Sequence, residues 1–95
     1  MPPDWAELEP PDRSSPLADG PLMQFLQAHR RRSVRISLAQ QRRPDTRVLQ
    51  LLLTAGRAWR QQGLAFDVIG LAPGLAKDYA RLGFDSANTG WSGLR

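Results

Sequence analysis

Apolar and polar positions divide the chain into strand-like and helix-like stretches. In Ser33-Val34-Arg35-Ile36-Ser37-Leu38, an extended backbone puts Val34, Ile36 and Leu38 on one side and Ser33, Arg35 and Ser37 on the other. That alternation predicts a half-buried strand with one solvated face. Leu64 to Ile69 is more apolar and predicts a second strand, interior to its sheet. Between them Val48, Leu49, Leu52, Leu53, Ala55 and Trp59 recur at helical spacing. They predict an amphipathic helix from Thr46 to Gln62, with Gly63 just past its end, where a left-handed residue is favoured. Leu22, Met23, Phe25 and Leu26 predict a short helix from Pro21 to Ala28, its proline at the first helical position. Ala72, Leu75, Ala76, Tyr79 and Leu82 predict a last helix that opens at Pro73 and stops at Gly83, with Phe84 as the apolar contact beyond it.

The remaining stretches are irregular. Pro2, Pro3, Pro10, Pro11, Pro16 and Gly20 exclude a regular helix through residues 1–20, leaving room for a short edge strand over 5–9. Asp85 to Arg95 reads as a flexible or loosely docked tail. Strands alternating with helices through short connections predict parallel pairing, right-handed crossovers and helices packed on the sheet. With 95 residues, the expectation is one α/β domain of about four strands and three helices. It would span residues 21–84, between an acidic proline-rich arm (1–20) and the tail (85–95).

Charge changes this picture because it is unevenly spread. Residues 1–19 hold five acids against Arg13 alone, whereas residues 29–60 hold nine arginines against Asp45 alone. Arg30, Arg31, Arg32, Arg42 and Arg43 form a candidate basic patch, a feature that suits nucleic acid, an anionic surface or an acidic protein partner. No helix-turn-helix, zinc-finger or stacking-aromatic motif accompanies it, so a solvated basic edge is the expectation and nucleic-acid binding the alternative. The chain has no cysteine, which excludes disulfides, thiolate catalysis and cysteine-ligated metals. Its start lacks a basic then apolar leader, and its longest apolar run is Leu51 to Leu53, so a cytoplasmic protein without membrane insertion is expected.

Little in the sequence suggests catalysis. His29 is the only histidine and lies in a basic run, where a solvated helix-end residue is expected rather than a metal ligand. No phosphate-cradling glycine motif occurs. No cofactor, no metal site and no enzymatic activity are therefore expected. Trp59 lies on the stripe of the long helix and reads as core, while Trp5 and Trp91 fall in the irregular ends, as partner anchors or incidental packing. What remains is the helix start Pro44-Asp45-Thr46-Arg47. Either Asp45 or Thr46 can cap the helix, and a hydroxyl at the positive end of a helix dipole is a candidate phosphorylation site.

Taken together, Val34 to Phe84 resembles the STAS domain, the module of bacterial anti-sigma-factor antagonists and sulfate-transporter tails. The resemblance is carried by the strand Val34-Arg35-Ile36-Ser37-Leu38, the loop Ala39 to Pro44, and Asp45-Thr46-Arg47-Val48-Leu49-Gln50-Leu51-Leu52-Leu53, where the family shows Asp-Ser-Ser-Gly-Leu before an apolar helix. Leu64 to Ile69 and Pro73 to Leu82 with Gly83-Phe84 look like its last strand and helix. The likeness implies a mixed, mostly parallel sheet of about four strands backed by helices. It also implies a non-enzymatic partner-switching role in signalling or chemotaxis, with a kinase-like anti-sigma factor or comparable regulator binding at Asp45, Thr46, Arg47 and Gln50. Homodimerisation is compatible with it. Asp45 and Thr46 match the motif's first two residues, making Thr46 the candidate phosphosite, but Arg47 stands where the family's usual phosphorylated residue would be. Family members with threonine at this place serve in phospholipid-transport complexes, which makes a constitutive scaffold the competing role.

Overall fold

The computed structural model describes residues 5–10 and 20–94. In order, the elements are β1 (Ala6–Leu8), α1 (Pro21–Ala28), β2 (Val34–Ser37), α2 (Thr46–Gln61), β3 (Phe66–Ile69), α3 (Pro73–Arg81), α4 (Ser86–Thr89) and a 3-10 turn at Ser92–Leu94. The strands form one parallel sheet in the order β1-β2-β3, with Glu7, Arg35 and Asp67 in register and Leu8, Ile36 and Val68 in register. Among the described residues the sheet therefore has three strands, not four, and no antiparallel pair. A helix lies between successive strands in both cases, and such crossovers return the chain parallel to the strand it left.

Val34, Ile36 and Leu38 point to the helices together with Ala6 and Val68, and all are buried. Leu22, Leu26, Val48, Leu49, Leu52, Ala55, Trp59, Leu75 and Tyr79 complete that core from the helical side. The buried indole of Trp59 is satisfied, its Nε1 donating to Arg32 O at 2.7 Å. On the other sheet face Arg35 Nη1 reaches Glu7 Oε1 at 2.7 Å, and its guanidinium lies 4.6 Å from the Trp5 ring.

The strand expected to be interior, β3, is an edge strand, and β2 takes the centre. The exposed edge is managed by the chain's last residues, which are docked rather than loose. Asp85 Oδ1 accepts from Asn88 N at 2.9 Å and Asn88 Oδ1 accepts from Asp85 N at 2.9 Å, a capping box that starts α4. Gly90, with φ +76°, ends it and turns Trp91 inward to 2% exposure. Ser92 then donates to the Asp67 carboxylate through its amide, at 2.8 Å, and through its hydroxyl. Gly93 lies so close to β3 that a Cβ would come within 2.7 Å of Val68 O and 2.9 Å of Ile69 Cα. Covering an edge in this way removes a template for unwanted strand pairing. No helix among the described residues is long and apolar enough to cross a membrane.

Candidate interaction surface at the start of the second helix

The chain leaves the sheet at the end of β2, where Leu38 N donates to Ile69 O at 2.8 Å, and reaches α2 through residues 39–45. That connection is anchored from beneath. Gln41 N donates to Leu38 O at 3.0 Å, and the Gln41 side chain, only 3% exposed, turns inward so that Oε1 accepts from the Tyr79 hydroxyl at 3.3 Å. Burial pushes the Tyr79 phenol above its ordinary value; a backbone hydrogen bond with Asp45 acts in the opposite sense, and the Asp45 charge adds to the rise. A tyrosine of α3 thus holds the loop that delivers the helix start.

Asp45 is the N-cap. Its backbone is extended (φ −126°, ψ 109°), and Oδ1 accepts from Arg47 N at 2.9 Å and Val48 N at 3.3 Å, while Asp45 O takes Leu49 N at 2.9 Å. Two of the amides left unpaired at a helix start are thereby satisfied by one carboxylate. The helix start is not an open anion cradle, because a carboxylate already fills it. Thr46, Arg47 and Gln50 are exposed, as are Arg42, Arg43 and Pro44, while Val48 and Leu49 are buried directly behind them. Asp45, Thr46, Arg47 and Gln50 are therefore brought onto one turn, with Asp45 committed to the backbone and the other three presented to solvent.

The basic patch is not brought together in the same way. Arg30, Arg31 and Arg32 precede β2 and Arg42 and Arg43 follow it, so a strand about 13 Å long, at ~3.3 Å per residue, lies between the two groups. Arg35, between them, is ion-paired with Glu7. His29 closes α1; its Nδ1 donates to Phe25 O at 2.9 Å and its ring lies 4.4 Å from that of Phe25. Among the described residues no three His, Cys, Asp or Glu side chains gather into a metal-binding cluster. Sequence reasoning missed Gln41 and the role of Tyr79. They are 38 residues apart, and a lone glutamine in a polar loop gives no local sign of burial. No known protein family, curated protein or solved structure matches the chain.

Proposed function

We propose that this protein is a non-enzymatic interaction module of STAS type, which binds a regulatory protein partner through Thr46, Arg47 and Gln50 at the start of α2. The observation that supports this reading is a turn with exposed polar side chains on a backbone fixed by the Asp45 cap and by the Gln41–Tyr79 bond below. A surface that is polar, exposed and already ordered loses little conformational entropy on binding, which favours recognition.

A phosphate on Thr46 would add negative charge beside the Asp45 carboxylate, which already holds two first-turn amides. The neighbouring Arg47, not the helix amides, is the group that receives it. The outcome is a reversal of the local surface charge and loss of a partner selected for a basic turn. Arg47 also favours a second reading, a constitutive scaffold with a permanently positive surface and no switch. Recovery of the partner from native cells, phosphosite mapping of the recovered chain, and affinity measurements with Thr46→Asp and Arg47→Glu test both. Unchanged affinity in both variants removes the surface from consideration; phosphate on Thr46 separates the switch from the scaffold.

A further inference from the structure

Between α1 and α2 runs a groove of about 260 Å3, lined by Met23, Leu26 and Gln27 from α1, by Arg30 just beyond its end, and by Leu51, Thr54, Ala55, Ala58 and Trp59 from α2. Met23, Leu26 and Gln27 on α1 share the i, i+3, i+4 stripe that a helix turns toward a neighbour, and Leu51, Thr54, Ala55 and Ala58 extend the same spacing to i+7 on α2. The groove exists because α2 places only small side chains, Thr54, Ala55 and Ala58, along its middle, where a leucine would have closed it. Its lined length on α2, from Leu51 to Trp59, is about 12 Å, just over two turns of helix.

The two helices that form the groove carry no negative charge. Gly20 to Gln62 contains nine arginines and a single acid, Asp45, which is spent on the α2 cap, and neither α1 nor α2 contains a carboxylate. Arg30 lines one end of the groove, and Arg47 stands one turn before Leu51 on the same stripe of α2. Among the described residues no ion pair engages Arg30, Arg47 or Arg57. The cavity lies below the ~300–1,000 Å3 typical of small-molecule sites. Its floor is apolar where nucleic acid would need base stacking or phosphate contacts, and its concave form does not suit the flat plane of a bilayer.

We infer that the α1–α2 groove is a second docking surface, which receives an acidic amphipathic helix of a protein partner. The helix seats its apolar ridge on Ala55, Ala58 and Trp59 and meets Arg30 with glutamate or aspartate at one end, the helix-in-groove mode of recognition. The surface lies along the body of α2, beyond the helix start proposed above.

Calorimetric titration of the full chain at low salt, with a synthetic helical peptide carrying leucines at i, i+3, i+4 and i+7 and glutamates elsewhere, tests this. Its lysine counterpart and phosphatidylglycerol vesicles serve as the comparison probes. The glutamate peptide is expected to bind, the lysine peptide and the vesicles not to bind, and Ala58→Leu and Arg30→Glu each to weaken binding by about tenfold or more. Thr54→Tyr, at an exposed position on the groove wall, gives the same loss without touching the core. Thr46→Asp leaves the peptide affinity within about twofold, which separates this groove from the helix start. No binding of the glutamate peptide, equal binding of the lysine peptide, indifference to both Ala58→Leu and Thr54→Tyr, or retention on the vesicles would overturn the inference.

Discussion

Two helices of this protein begin with the same chemistry and lead to opposite outcomes. Asp45 caps α2 ahead of Thr46, and Asp85 caps α4 ahead of Ser86. In both, a carboxylate accepts first-turn amides and a hydroxyl residue follows. After Asp45 come sixteen helical residues with a continuous apolar stripe, so the helix is held by its body and its first turn stays open to solvent. After Asp85 come four helical residues, the left-handed Gly90 and the buried Trp91, so that start serves to bring a side chain into the core. An Asp-hydroxyl pair is therefore not itself a recognition signal. What separates the two is whether the following residues need the cap in order to pack.

Substitutions can break or sharpen this contrast, and the largest effect belongs to the tail. Trp91→Ala is expected to cost about 3–5 kcal/mol in urea unfolding, the range for a fully buried large aromatic. A loss below ~1 kcal/mol would mean that residues 85–94 do not dock as described.

Tyr79→Phe comes next, because it leaves the buried Gln41 side chain without its partner, a cost of about 1–3 kcal/mol. It also predicts a pH signature. With the folded phenol held above its ordinary value of about 10, the unfolded chain gives up the proton first. The Tyr79 contribution is therefore complete below about pH 10 and is lost as pH rises through the folded value. Wild-type stability should fall over that alkaline window, and Tyr79→Phe should flatten the fall; parallel curves would contradict this assignment.

The two caps can then be compared directly. Asp45→Ala and Asp85→Ala should each cost ~1 kcal/mol. Amide exchange should differ between them: loss of Asp85 exposes Trp91, Ser92 and Gly93, whereas loss of Asp45 frays only the first turn of α2. The smallest stability effects are expected at the exposed residues themselves, with Thr46→Asp and Arg47→Glu each within about 0.5 kcal/mol of wild type by urea unfolding.

These contrasts also show which parts were legible in the sequence. The stripe of Val48, Leu49, Leu52, Ala55 and Trp59 carries its own period, and α2 ends at Gln61 where Gly63, with φ +73°, made a stop expected. Pro21 and Pro73 mark first turns for the same local reason. Strand order is not local. Leu64 to Ile69 is apolar in keeping with an interior strand, yet it is an edge whose cover comes from Trp91 to Leu94, residues whose packing depends on Asp67 accepting from Ser92. Within the candidate surface, the sequence offered Asp45 or Thr46 as the cap and the structure uses Asp45, while the support of the loop by Tyr79 through Gln41 arises only when α3 folds beneath it. The basic patch was legible as composition only, since the sequence does not show that β2 holds its halves apart.

The central claim is that the start of α2 is a binding surface on a scaffold that does not need those side chains to fold. The most direct measurement is the affinity of a partner recovered from native cells for wild type, Thr46→Asp and Arg47→Glu, each also followed by urea unfolding. A binding surface predicts affinity lowered by about tenfold or more with unfolding midpoints unchanged. Unchanged affinity in both variants, or a loss of affinity that tracks a loss of stability, would contradict it.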